Sequence, residues 1–216
     1  MQIALMNKTK KKIILSAVKL FNQVGLANAR NQDIAEQAGV SLSNFNYHFK
    51  TKKDLVLEVM TYMKEVLEEN VYGNKLLIQD GQGLEIAKSY YEFEEEFQFF
   101  YLDTHNIIQT YPELKAGLEI QINESIQMIK NLNYMGVGMG LMKPEPTEMP
   151  GLYDQLAQQI WINNHFWFAQ MKIRGLEGSV VVKGLEAGFG IVYPYLTEKG
   201  IAAYRKFIDG VKAEQN

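Results

Sequence analysis

The stretch NQDIAEQAGVSLSNFNYHF, residues 31–49, decides how the rest of the chain is read. Asn31 is placed to cap a short helix carrying Ile34, Ala35 and Ala38, which Gly39 closes. Ser41 can cap a second short helix with Phe45 and Phe49 on one face. Two helices joined by so short a turn must meet at a steep angle. Ala35 is small enough to let them approach, and Gly39 supplies a left-handed turn residue. Ile34, Val40 and Phe45 then point inward, and Ser43, Asn44, Asn46 and Tyr47 remain on the outer face of the second helix. A helix with such a face fits the DNA major groove, its N-terminal end nearest the bases. An ordinary corner between helices has the same Ala-x-x-x-Gly spacing, so the flanking segments carry part of the argument.

Those segments are basic. Residues 1–53 hold nine lysines and arginines against Asp33 and Glu36, a net +7, while residues 54–216 carry −10. A basic head on an acidic body suggests a polyanion partner for the head alone. Ile14, Val18, Phe21 and Val24 advance by three or four, and Gly25 ends that helix. Thr51 with Asp54 forms a loose capping box, and Leu55, Val59, Met63, Val66 and Leu67 carry a fourth helix toward residue 70 or beyond.

Helical spacing continues through the body. Residues 80–83 break the chain, residues 84–111 form one aromatic stripe, and Pro112 precedes a helix with Leu114, Leu118, Ile122, Ile126 and Ile129. Residues 135–151, with four glycines and three prolines, read as a long loop. Helices follow at about 152–174 and 178–194, with a short one near 197–209. Val180 to Val182 is strand-like, but helical spacing on to Leu185, Phe189 and Val192 outweighs it. The expected fold is all-α. A three-helix helix-turn-helix head, residues 1–53, runs through a linking helix at about 52–75 into a larger helical body, residues 54–216.

Composition removes several function classes. The chain has 216 residues, 47% apolar, and no cysteine, which excludes disulfides, thiolate metal sites and a thiol nucleophile. No apolar run approaches the length of a membrane span, and the N-terminal stretch lacks the order of a secretory signal, so a cytoplasmic protein is expected. No nucleophile–base pair, phosphate-cradling glycine loop or metal-ligand cluster stands out, so neither catalysis nor a metal or other cofactor is expected. The acidic run Glu94-Glu95-Glu96 reads as a solvated face.

From Lys10 to Leu67 the chain resembles the N-terminal domain of the TetR/AcrR family of bacterial transcriptional repressors. The matching residues are Ala17, Phe21 and Gly25, then Asp33-Ile34-Ala35, Ala38-Gly39-Val40-Ser41, Tyr47-His48-Phe49, and Lys50 with Lys52 and Leu55. Tyr111-Pro112-Glu113-Leu114 and Tyr193-Pro194-Tyr195-Leu196 are similar to segments of that family's C-terminal region. The resemblance implies a DNA-reading head on a body that binds a ligand and dimerises. By position, Leu42, Ser43, Asn44, Asn46 and Tyr47 would face the groove, and Asn31 and Lys52 would hold phosphates. Gln32 and Ser41 complete the candidate DNA-binding set, and His48 either donates to a phosphate or packs on the core. Two positions depart from the family: Asn46 stands where a tyrosine is common, and Leu42 where a lysine or arginine is frequent. Asn46 can pair bidentately with adenine, and Leu42 can meet a thymine methyl.

The body is rich in aromatics, eight of them within residues 89–111 and five more between Tyr153 and Met171. They read either as plain core or as an apolar pocket with polar anchors. The pocket candidates are Phe97, Tyr101, His105, Tyr111, Trp161, Asn164, His165 and Phe168. The helix at 153–174 is apolar on two faces, with Ile160, Trp167 and Met171 on one and Ile162, Phe166 and Ile173 on the other. The helix at 178–194 carries Gly184, Ala187, Gly188 and Gly190, which permit close approach. Together they suit a homodimer interface, which would present two heads to two half-sites of a palindromic double-stranded DNA operator. The expectation is a repressor released by an unidentified, largely apolar small molecule. A DNA-anchored protein-interaction module with no small-molecule effector is the alternative.

Overall fold

The computed structural model describes residues 6–73 and 82–214. Among them the structure is helical, with one isolated β-bridge between Met142 and Leu196. The helices are α1 (Lys8–Val24), α2 (Asn31–Gln37), α3 (Leu42–His48), α4 (Lys52–Val66), α5 (Gln82–Glu96), α6 (Gln98–Thr110), α7 (Lys115–Gly138), α8 (Leu152–Ile173), α9 (Val180–Val192) and α10 (Glu198–Glu214). The chain divides into two compact units, one of residues 1–74 and 96–114, the other of residues 75–95 and 115–216. This is not the split at residue 53 suggested by the charge. The first unit takes in all of α4 together with α6.

In the first unit α1 packs on α2, α4 and α6, burying Ile13, Ile14, Ala17, Val18 and Phe21. Phe21 meets Phe99 edge to face at 5.2 Å between ring centroids, and Tyr62 meets Phe97 at 6.1 Å. The expected single helix over 84–111 is interrupted. Phe97 (φ −113°, ψ 36°) separates α5 from α6, and Asp103 is also non-helical. The Asn22 side chain spans that break, its Nδ2 donating to the Glu96 carbonyl at 2.8 Å and its Oδ1 accepting from the Phe99 amide at 3.0 Å. After Val66 the helix widens into a π-helical segment, Leu67–Tyr72. The break expected at 80–83 lies partly outside the described residues.

In the second unit α7 packs on α8, α8 on α9 and α9 on α10. One core cluster joins Tyr91, Val181, Leu185, Tyr204, Ile208 and Val211. Tyr91 fits because residue 184 is glycine, since a Cβ there would stand 2.6 Å from its ring. Gly184 thus serves the core of this unit, whereas Gly190 has nothing within 4 Å of its Cβ position.

The loop expected at 135–151 is shorter than the composition suggested, because α7 runs on through Gly138. Gly136 is buried there, and a Cβ would come 3.0 Å from Met142, so close packing rather than chain breaking explains that glycine. The remaining loop is tied down. Lys143 N donates to the Tyr195 carbonyl at 2.8 Å and Thr197 N to the Leu141 carbonyl at 3.0 Å. Tyr153 donates its hydroxyl to the Lys143 carbonyl at 2.6 Å, and its amide to the Glu145 carboxylate at 2.7 Å. The last helix, expected near 197–209, extends to Glu214.

Candidate functional site

The α2–turn–α3 element is built from local chemistry. Gly39 sits at φ +62°. Its amide donates to the Glu36 carbonyl at 2.9 Å, and the Val40 amide donates to the Ala35 carbonyl at 3.0 Å. These bonds satisfy carbonyls that the end of α2 leaves open. Ser41 caps α3 by accepting from the Asn44 amide at 3.2 Å, and its hydroxyl lies 2.9 Å from that of Ser43. Asn31 does not cap α2 as expected. It is the first helical residue, and Arg30 occupies the cap position without a side-chain bond. Thr51 and Asp54 form the expected capping box at the start of α4.

The two faces of α3 separate cleanly. Phe45 and Phe49 are buried, while Leu42, Ser43, Asn44, Asn46 and Tyr47 are exposed. Tyr47 is 83% exposed, too open for a core role. Exposed Gln32, half-buried Asn31 and half-buried His48 lie on the same two short helices, and the His48 ring meets that of Tyr47 at 5.2 Å. A polar ridge on a short, capped helix has the width and the donors and acceptors that a DNA major groove admits.

Not every head cation is free to meet phosphates. The Lys52 ammonium turns inward, donates to the Ala29 carbonyl and lies 4.6 Å from the Phe21 ring centroid. Burial pulls it down to about 8, with Asp33 pulling the other way. In this structure Lys52 pins α4 to α1 and the α1–α2 turn. Lys10 pairs with Glu58 at 2.6 Å and Lys53 with Glu113 at 2.5 Å. Lys8, Lys12, Lys19, Arg30 and Lys50 are exposed.

The eight pocket candidates fall in both units. Phe97, Tyr101, His105 and Tyr111 belong to the first unit, and Trp161, Asn164, His165 and Phe168 to the second. Phe97, Tyr101 and Tyr111 are buried, but His105 is exposed on α6, which removes it as an interior anchor. Phe168 packs with Met171 and Val180 as plain core. Asn164 accepts from the Tyr91 hydroxyl at 2.8 Å. The His165 ring stacks on Trp161 at 4.9 Å, and burial lowers its pKa, favouring the neutral form.

One residue of the body was misread. Glu94 is not on a solvated face. It is 0% exposed, and both carboxylate oxygens lack a hydrogen-bond partner. Burial pushes its carboxyl well above the ordinary range. The signal was available, since Glu94 falls three residues after Tyr91 and three before Phe97, on a stripe otherwise apolar. Among the described residues no group of three or more His, Asp or Glu could hold a metal ion, and no helix is long and apolar enough to cross a membrane.

Residues 13–59 match the family model of bacterial regulatory proteins of the tetR family, and residues 82–204 match that of a bacterial transcriptional repressor. The uncharacterized HTH-type transcriptional regulator YerO of Bacillus subtilis is 29% identical over 147 residues, which cover 63% of this chain and 49% of that protein. The chain spans about half the length of the curated relatives it matches. A TetR-family transcriptional regulator from Marinobacter aquaeolei VT8 shares the fold with a TM-score of 0.79 at 21% identity, covering 94% of this chain and 98% of that one. A chain from Saccharomonospora viridis solved in complex with choline has a TM-score of 0.69 at 19% identity, over 89% of this chain and 100% of that one.

Proposed function

The chain belongs to the TetR family of bacterial regulatory proteins, and on that premise we propose that it is a homodimeric, sequence-specific DNA-binding repressor released from its operator by a small effector. The observation that carries this reading is the outer face of α3, where Ser43, Asn44, Asn46 and Tyr47 stand exposed on a helix fixed behind by Phe45 and Phe49. Asn46 reads a base edge, Leu42 meets an apolar base group, and Tyr47 with Lys50 reaches the backbone.

Dimerisation is supported by α8. Ile162, Phe166 and Ile173 form an apolar stripe that is 58%, 56% and 77% exposed. A second copy covering this face brings two α3 helices to two half-sites one helical turn apart, or a multiple of it.

The effector binds in the body, and its solved fold neighbour in complex with choline supports a small-molecule site in this architecture. The effector has a largely apolar frame, suited to the aromatic residues of α5 and α8. It acts only by binding the DNA-incompetent conformation more tightly than the DNA-bound one.

The test is selection of duplexes from a random pool by the full chain at low salt. A palindromic site with identical half-sites is the expected result. Recovery of no enriched sequence refutes the apo repressor.

A further inference from the structure

Glu94 is a feature of α5 that packing does not explain: among the described residues both of its carboxylate oxygens are buried without a hydrogen-bond partner. Its neighbours on the same face of α5, one turn toward the N-terminus, are Tyr90 and Tyr91. The Tyr91 ring is held by its hydroxyl bond to Asn164 and by the close passage of Gly184. An ionised carboxylate buried without a partner is strongly disfavoured. A protonated one would need an acceptor, and neither oxygen has a hydrogen-bond partner of any kind. Neither protonation state is satisfied, so a leucine would cost the free chain less, and a glutamine, which never ionises, would avoid the cost of burying or neutralising a charge. The group missing is a hydrogen-bond donor or a cation.

We propose that Glu94 anchors a binding site for a small organic monocation, with the rings of Tyr90 and Tyr91 forming its aromatic wall. This deepens the effector reading given above and rests on it. An anion is poorly matched, because a carboxyl offers it at most one proton and otherwise only acceptor oxygens. A divalent metal is not matched, because Glu94 joins no cluster of ligating groups among the described residues. A carboxylate beside aromatic rings suits an ammonium on an apolar frame, which gains both the ion pair and the attraction of the ring faces.

The experiment is calorimetric titration of the full chain with benzyltrimethylammonium, tetraphenylphosphonium and protonated hexylamine, with 3,3-dimethylbutan-1-ol as a neutral control. Wild type, Glu94→Gln and Glu94→Leu are compared, and the thermal midpoint of each free protein is measured. At least one monocation binds wild type, with affinity reduced tenfold or more in Glu94→Gln, and the neutral alcohol does not distinguish the two. Both variants melt at or above the wild-type temperature, which shows that a lost ligand is not a lost fold. Monocations that bind none of the proteins, or bind wild type and Glu94→Gln alike, overturn the proposal. The same compounds are then added to the protein on its selected duplex. Release by the neutral compound alone leaves the effector reading standing and removes the cation site, whereas release by neither class counts against both.

Discussion

Replacing Asn22 by alanine removes both bonds that span the break between α5 and α6. The Phe99 residue is 3% exposed, so its amide loses the Asn22 acceptor without ready access to water. An unsatisfied buried donor costs about 1–3 kcal/mol. Glu96 is exposed, so its carbonyl can turn to solvent, and only the net worth of that bond is lost, about 0.5–1 kcal/mol. The expected destabilisation is therefore about 1.5–4 kcal/mol, equivalent to a fall in melting temperature of roughly 3–16 °C for a chain of this length. Asn22→Asp keeps the acceptor for Phe99 but sets an oxygen against the Glu96 carbonyl, so it should lie between wild type and alanine. Thermal and urea unfolding of the three proteins, followed by circular dichroism, gives the comparison. An alanine variant within about 0.5 kcal/mol of wild type, below the net worth of a single hydrogen bond, or an aspartate variant less stable than alanine, would refute the reasoning.

Gly184→Ala forces a methyl against the Tyr91 ring and should destabilise by about 1–3 kcal/mol in urea unfolding, whereas Gly190→Ala should be neutral or slightly stabilising. Burial holds the Lys52 ammonium near 8 against 10.5 in the unfolded chain. Between those values the unfolded chain retains the proton that the folded chain has shed, so wild-type stability should rise with pH relative to Lys52→Met above about pH 8 and run parallel to it below. A constant difference from neutral pH to pH 10 would contradict that placement. Glu94 has the opposite sign: its raised pKa means that the free chain loses stability as pH climbs above the ordinary carboxylate range, so the advantage of Glu94→Gln in unfolding should vanish at acid pH and grow toward neutrality. Phe166→Glu places a charge on the exposed stripe of α8, and light scattering should report a shift from dimer to monomer without loss of helicity.

What could be read from the sequence follows the range of the interactions responsible. The head was legible because its determinants are local: the Ser41 cap, the Thr51–Asp54 box and the positive φ at Gly39 each act within a few residues. Where the head depends on distant partners, the sequence is silent. Nothing near Lys52 in sequence announces its contacts with Ala29 and Phe21. In the body, periodicity placed the helices but not their ends. Gly136 was read as a breaker because Met142 folds back on it only in three dimensions. The stop at Phe97 depends on Asn22, seventy-four residues earlier than Glu96. Glu94 was assigned by its charge and its acidic neighbours, whereas its helical phase placed it inward. Aromatic content likewise does not say which unit a ring will join.

The central claim is that the outer face of α3 reads DNA sequence, and repeating the duplex selection with Asn46→Ala beside wild type tests it most directly. Asn46 is exposed and plays no part in the core, so the variant should fold as wild type does. The account predicts that base preference relaxes at one position in each half-site, with discrimination there falling by about 1–3 kcal/mol, and that the rest of the motif is retained. An unchanged motif from Asn46→Ala would contradict it.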